Sequence, residues 1–310
     1  MKHKHLLGLE EYPAEDIQTI IDTAFSFREV LERPIKKVPS LQGKTIVNLF
    51  FENSTRTRIS FELAQKRLSA DTVNFSASMS SLKKGETFKD TAQNIEAMKI
   101  DAVVMRHPTP GAPLHLTKHI ESIVINAGDG THEHPTQAIL DMTSLQEKFG
   151  RLKGLKIGII GDITHSRVAL SNIYGLKTMG AEIALCGPAT LIPPFAEDLG
   201  VSVNYNVDEV IEWADAINVL RIQHERMGGG LLPSVREYRN LFGITTERLK
   251  MHKKEMVIMH PGPMNRGVEI DSAIADSDQA IILDQVLNGV ASRMAILYLL
   301  LGGKQEVGKN

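Results

Sequence analysis

The chain has very little cysteine: Cys186 stands alone among 310 residues. No intrachain disulfide can form, and no thiolate cluster is available for zinc or an iron–sulfur centre. There is also no excess of one charge. Lysine and arginine total 35 against 37 aspartate and glutamate, a net charge of -2, so the basic stripe of a general nucleic-acid surface is missing. No long hydrophobic run is present, and the stretch from Ala295 to Leu301 falls far short of the ~20 residues that span a bilayer. The basic opening, Met1 to Leu7, turns acidic at Glu10 and Glu11 without an apolar signal segment, which predicts a soluble, untargeted, cytoplasmic chain. Tracts of Pro, Gly and Ser and blocks of like charge are absent too. With 42% hydrophobic and 23% charged residues, the composition is that of a globular protein.

Two cofactor fingerprints are missing. Gly158-Ile159-Ile160-Gly161-Asp162 follows a strand-like run but fails G-x-G-x-x-G, since Thr164 stands where the third glycine is needed. No Walker A sequence occurs, so no nucleotide cofactor is expected. His132-Glu133-His134 has histidines at i and i+2 with no completing ligand downstream, a poor match to zinc spacing, and no metal is expected.

What the chain does have is six apolar runs that each end in a polar segment suited to an anion. Thr45–Phe51 leads into Ser54-Thr55-Arg56-Thr57-Arg58. Ala102–Met105 leads into Arg106-His107-Pro108, and Ile123–Ile125 into Gly128-Asp129-Gly130 and His134-Pro135-Thr136-Gln137. Further on, Ile157–Ile160 leads to Asp162 and Arg167, Ile217–Leu220 to Arg221-Ile222-Gln223, and Met256–Met259 to His260-Pro261-Gly262-Pro263. Ligands of open parallel sheets bind beyond the carboxyl ends of the strands, so one crevice would collect Arg56, Arg106, Arg167 and Arg221. Guanidinium forks pair with phosphate and carboxylate, which points to small anionic ligands. Ser54–Arg58 also opens a helix, where unpaired N–H groups favour an anion, although a plain N-cap with solvated arginines would look the same.

The alternation of strand-like and helix-like runs predicts an α/β chain of two doubly wound domains with parallel sheets. Strands are expected near 44–51, 72–75, 101–105 and 123–126, then near 156–161, 182–186, 201–204, 216–220 and 256–259. Helices are expected from Pro13, near 54–68 with Ile59, Leu63, Ala64 and Leu68 on one face, near 87–99, near 111–119 and near 135–149. A last helix carries Val286, Val290, Met294, Leu297 and Leu301 on one stripe. Gly150-Arg151-Leu152-Lys153-Gly154 reads as the crossing from the first domain into the second, and either domain could supply the apolar partner that the last helix needs. Two long polar connectors, Phe75–Thr87 and His224–Thr246, read as lids or as plain flexible loops; Lys84 on the first could bring charge over a bound ligand or be a solvated surface lysine. His134 at a strand-to-helix turn could donate to a carbonyl oxygen as negative charge develops. The H-P-G-P segment either presents backbone carbonyls or is only a tight turn.

In this order, F-x-x-S-T-R-T-R through Arg58, K-K-G-E-T at 83–87, M-R-H-P at 105–108, N-A-G-D-G at 126–130, H-P-T-Q at 134–137, Arg167, R-I-Q-H-E-R at 221–226 and H-P-G-P at 260–263 resemble the catalytic chains of the aspartate carbamoyltransferases. The resemblance runs through almost the whole sequence. It implies transfer of the carbamoyl group of carbamoyl phosphate to the α-amine of L-aspartate, an early step of de novo pyrimidine biosynthesis. It also implies one domain for each substrate, with the final helix returning to the first so that the domains run 1–149 plus 286–310 and 150–285, and a homotrimer with sites shared between subunits. Residue by residue it implies that Ser54, Thr55, Arg56, Thr57 and Arg106 hold the phosphate. His134 and Gln137 would meet the carbamoyl group, with Gly262 and Pro263 giving backbone contacts. Ser80 and Lys84 would reach in from a neighbouring subunit, and Arg167, Arg221 and Gln223 would hold aspartate, with Lys84 also meeting it. Arg56, Lys84 and His134 would carry the catalytic roles. Ornithine carbamoyltransferases have H-C-L-P in place of His260-Pro261-Gly262-Pro263, which favours the acidic acceptor. A carbamoyltransferase for another amino acid, or a non-catalytic amino-acid-binding module, remains the alternative. The sequence leaves open whether a regulatory chain or a dihydroorotase associates.

Overall fold

The computed structural model describes residues 1–76, 87–222, 234–252 and 255–302. Contacts divide the chain into two compact units, Met1–Thr143 with Leu287–Asn310, and Ser144–Val286. The division falls inside the helix Pro135–Phe149.

The first unit is built on β1 (Thr45–Phe50), β2 (Asp71–Ser76), β3 (Ala102–His107) and β4 (Ile123–Asp129), in the order β2-β1-β3-β4. All pairs are parallel, with Thr45 opposite Asp71, Ile46 opposite Ala102 and Ala102 opposite Ile123. Its helices are α1 (Ala14–Glu32), α2 (Thr55–Arg67), α3 (Phe88–Ala97), α4 (Ala112–Leu116) and the start of α5 (Pro135–Phe149). One apolar cluster joins Val47, Leu49, Val103, Met105 and Val124 of the sheet to Ala92, Ile95 and Leu116 of α3 and α4. The segment around Leu6 extends the sheet beyond β4: Leu6 N donates to Val124 O at 3.0 Å and Asn126 N to Leu6 O at 2.8 Å.

The second unit holds β5 (Lys156–Ile160), β6 (Glu182–Cys186), β7 (Ser202–Asn204), β8 (Ala216–Val219) and β9 (Val257–Met259), all parallel in the order β7-β6-β5-β8-β9. Between and after them lie α6 (Arg167–Thr178), α7 (Val207–Trp213), α8 (Val235–Phe242), α9 (Thr246–His252), α10 (Ser272–Ala275) and α11 (Ile282–Leu301), the last passing into the first unit. No helix among the described residues is long and apolar enough to cross a membrane.

Each expected strand forms within a few residues of its expected place, but two helix faces differ from expectation. On α2, Ile59 and Leu63 are exposed at 48% and 38%, while the buried face is Thr57, Phe61, Ala64 and Gln65, continued by Leu68. Gln65 is buried because Asn48 of β1 meets it: Gln65 Nε2 donates to Asn48 Oδ1 at 2.7 Å and Asn48 Nδ2 returns to Gln65 Oε1 at 3.1 Å. On α11, Val286 is 58% exposed, whereas Met294 and Leu297 are buried together with polar Asn288, Ser292 and Arg293. Those polar groups have partners in the first unit: Arg28 Nη1 donates to Asn288 Oδ1 at 2.6 Å, and Thr143 and Ser292 hydroxyls lie 3.2 Å apart. Paired polar groups can be buried at little net cost, and their presence displaced the apolar stripe.

Candidate active site

A doubly wound sheet opens a crevice where neighbouring strands send their connections in opposite directions. In the first sheet that point lies between β1 and β3, and in the second between β5 and β8. Arg56 follows β1 and Arg106 ends β3; Arg167 follows β5 and Arg221 follows β8. Each switch point is therefore flanked by two of the arginines that the sequence singles out.

At the first, Ser54 occupies the N-cap of α2 with φ -156° and ψ 89°, yet its side chain makes no capping bond. That removes the plain N-cap explanation for Ser54. Thr55 and Arg56 are exposed on the first turn and Thr57 is buried. Arg106 donates through Nε to Glu52 Oε1 at 2.7 Å and through Nη1 to Ala127 O at 3.1 Å, which ties its guanidinium to the loop after β1 and to the end of β4. Next to it, burial lowers the pKa of His107, whose Nδ1 accepts from Thr109 N at 2.9 Å.

His134, 4% exposed, ends a turn that buried carboxylates hold in place. Asp129 Oδ1 accepts from Asn126 Nδ2 at 2.8 Å and Glu133 N at 3.1 Å, while Oδ2 accepts from Gly111 N at 2.7 Å and pairs with His132 Nδ1 at 3.1 Å. The Glu133 carboxylate accepts from Leu9 N at 3.0 and 2.9 Å. The H-E-H triplet thus spends His132 and Glu133 on shaping the turn. His134 O then accepts from Gln137 N at 2.9 Å, starting α5, and Gln137 Nε2 donates to Asp141 Oδ1 at 2.9 Å. Sequence reasoning missed Glu133 and Asp141 as parts of this site, because a carboxylate in a helix or turn ordinarily faces water.

In the second unit, Gly161 has φ +131°, and a Cβ there would lie 2.9 Å from Leu220 O. Close approach of β5 and β8, rather than a pyrophosphate, requires this glycine. Asp162 Oδ1 holds His165 through its N at 3.2 Å and Nδ1 at 2.8 Å, and Ser166 caps α6 by accepting from Ala169 N at 3.2 Å. Arg167, buried, is the first residue of that helix, and Arg221 is partly exposed. After β9, His260 Nδ1 accepts from Gly262 N at 2.8 Å, so Nε2 carries the ring proton and faces Glu269 Oε1 at 3.3 Å. Gly262 has φ +60°, and the Gly262–Pro263 peptide is cis. Gly262 is half-buried and Pro263 exposed. Arg56, Arg106, His134 and Gln137 belong to one unit, and Arg167, Arg221, Gly262 and Pro263 to the other. Ser80, Lys84 and Gln223 lie outside the described residues.

The profile of the aspartate/ornithine carbamoyltransferase carbamoyl-P binding domain matches residues 4–147, and that of the Asp/Orn binding domain matches residues 153–300. The chain belongs to the aspartate/ornithine carbamoyltransferase family. Among its relatives, the aspartate carbamoyltransferase catalytic subunit of Gemmatimonas aurantiaca is 61% identical over 304 residues, covering 98% of this chain and 95% of that one. That of Christiangramia forsetii is 62% identical over 296 residues, covering 96% of each. Among solved structures, aspartate transcarbamoylase from Trypanosoma cruzi in complex with carbamoyl phosphate superposes with a TM-score of 0.88 at 30% identity, covering 95% of this chain and 94% of that one. Ornithine carbamoyltransferase from Pyrococcus furiosus gives 0.86 at 29%, covering 97% and 98%. Backbone similarity to carbamoyltransferases of either acceptor is thus nearly equal, and the acceptor must be read from side chains and close relatives.

Proposed function

We propose that this chain transfers the carbamoyl group of carbamoyl phosphate to the α-amine of L-aspartate, giving N-carbamoyl-L-aspartate and phosphate. The observation that carries this reading is the pair of arginines at each switch point, in a chain whose relatives at about 60% identity are aspartate carbamoyltransferase catalytic subunits. Two guanidinium groups suit an acyl phosphate at the first, and two suit a dicarboxylic amino acid at the second.

In this reading Ser54, Thr55, Arg56, Thr57 and Arg106 hold the phosphate, His134 and Gln137 meet the carbamoyl group with backbone help from Gly262 and Pro263, and Arg167, Arg221 and Gln223 hold the aspartate carboxylates. The amine lone pair forms a bond to the carbonyl carbon, and His134 donates to the oxygen on which negative charge develops. Collapse of the tetrahedral species breaks the carbon–oxygen bond to phosphate. The amine must shed a proton and the departing phosphate gains charge, so that phosphate is the natural acceptor. Arg56 stabilises the same charge, which is greatest in the transition state. Ser80 and Lys84 come from a neighbouring subunit of a homotrimer.

The test is turnover of the purified chain with carbamoyl phosphate and either L-aspartate or L-ornithine, read as ureido product and released phosphate. Aspartate should be carbamoylated and ornithine at least about a hundredfold less efficiently, because Arg167 and Arg221 repel a cationic side chain. Faster turnover of ornithine, or none of aspartate, would overturn the reading.

A further inference from the structure

A Gln–Asp pair one turn apart on an exposed helix is a minor contact. The pair formed by Gln137 and Asp141 differs in its setting. Asp141 is 0% exposed, and Gln137 is only half-buried. A buried carboxylate persists only where other groups offset its lost hydration. The opposing charge is on α11: Arg293 is 4% exposed, burial pushes its guanidinium down to about 10, and Asp141 is the charge that draws it back up. Arg293 Nη1 donates to Ser60 Oγ at 3.0 Å and to Gly289 O at 2.9 Å, and the guanidinium lies 5.1 Å from the centre of the Phe61 ring. Ser60 and Phe61 belong to α2, the helix that opens at the S-T-R-T-R turn. The Arg293 guanidinium thus ties α11 to α2, and its charge offsets that of the buried Asp141 one turn beyond Gln137 on α5.

A carboxylate only accepts hydrogen bonds, whereas a primary amide has a donor end and an acceptor end. Because Nε2 of Gln137 is committed to Asp141 at 2.9 Å, the end left for a ligand is Oε1, which accepts no hydrogen bond from the described residues. We infer that Asp141 is a positioning residue that fixes the Gln137 amide with its oxygen toward the ligand, so that the site selects an NH2 group over an isosteric methyl. This rests on the carbamoyl-transfer reading above. It goes further in assigning the choice of carbamoyl phosphate over other acyl phosphates to a residue that does not touch the ligand. With the amide reversed, two N–H groups would face the NH2 of carbamoyl phosphate, and the preference would vanish.

The experiment compares wild type, Asp141→Asn, Gln137→Ala and the double variant. Carbamoyl phosphate kcat/KM is measured at saturating aspartate, with inhibition constants for acetyl phosphate, which has methyl for NH2, and for inorganic phosphate. Asparagine offers either end to Gln137, so Asp141→Asn should lower kcat/KM about 10- to 100-fold and change both inhibition constants by less than about twofold. The double variant should be no worse than Gln137→Ala. Equal loss for carbamoyl phosphate, acetyl phosphate and phosphate would reduce Asp141 to a structural role and overturn the inference, as would unchanged preference in a folded Asp141→Asn. Should that variant fail to fold, Asp141→Glu, which keeps a carboxylate but moves it relative to Gln137 Nε2, gives the second reading: reduced preference is expected, and full preference contradicts. Absence of wild-type turnover would instead remove the carbamoyl-transfer reading itself, a distinct result.

Discussion

His132 and Asp129 meet at 3.1 Å in the turn that delivers His134, and their charges depend on each other. The hydrogen bond to Asp129 raises the pKa of His132 above its ordinary 6.5. Burial pushes the Asp129 carboxyl up, but hydrogen bonds from His132, Asn126 and Gly111 outweigh it and hold the group below its ordinary 3.8. The His132 contribution to stability is therefore complete below pH 6.5 and lost as pH rises through the raised folded value. That of Asp129 is present above pH 3.8 and lost as pH falls through the lowered one. Urea titrations of wild type and His132→Asn should differ most near about pH 5 and converge toward about pH 8, with a difference below about 1 kcal/mol because His132 is partly exposed. A gap that widens toward pH 8 would contradict the pairing. At this scale the sequence reading finds the arginines that the structure sets beside the switch points, since each directly follows or ends an apolar run that forms a strand. It does not find Glu133 and Asp141, because only the fold reveals that their carboxylates are buried against Leu9 N and Gln137 Nε2.

Among the elements, strands are easier to read than helix faces. A parallel strand buried on both sides is an apolar run whatever its register, so Ile46–Phe50 and Ile157–Ile160 declare themselves. A helix face must be chosen from a periodic pattern, and a buried polar pair can shift that choice. Ile59 and Leu63 fit a 3.6-residue period as well as Phe61 and Leu68 do, and the Gln65–Asn48 amide pair decides between them. The consequence is measurable. Phe61→Ala should cost about 3–5 kcal/mol of unfolding free energy, since it empties a fully buried ring site and removes the face beneath Arg293. Ile59→Ala in the isolated chain should cost less than about 0.5 kcal/mol. Similar losses for both, measured by denaturant titration, would mean that α2 packs on the other face.

For the whole molecule, the β/α rhythm announces two parallel sheets, and the long stretch between β9 and α11 hides how the last helix rejoins the first unit. That return depends on Arg28, Asn288, Ser292 and Arg293, polar residues that give no apolar signal. The proposed trimer makes a separate claim, that Lys84 of one subunit serves a neighbour. Inactive Arg56→Ala and Lys84→Ala chains, mixed under conditions that exchange subunits, should then regain a minority of wild-type activity, because some sites receive both intact residues. Exchange verified by mass without regained activity would place Lys84 in the site of its own chain. The central claim, carbamoyl transfer driven by Arg56 at the end of β1, is tested most directly by parallel time courses of N-carbamoyl-L-aspartate formation and phosphate release for wild type and Arg56→Ala. The account predicts equal rates of both products in wild type, and a fall in kcat of about a thousandfold or more in the variant with a much smaller change in aspartate KM. Phosphate released without ureido product, or an Arg56→Ala chain with wild-type kcat, would contradict it.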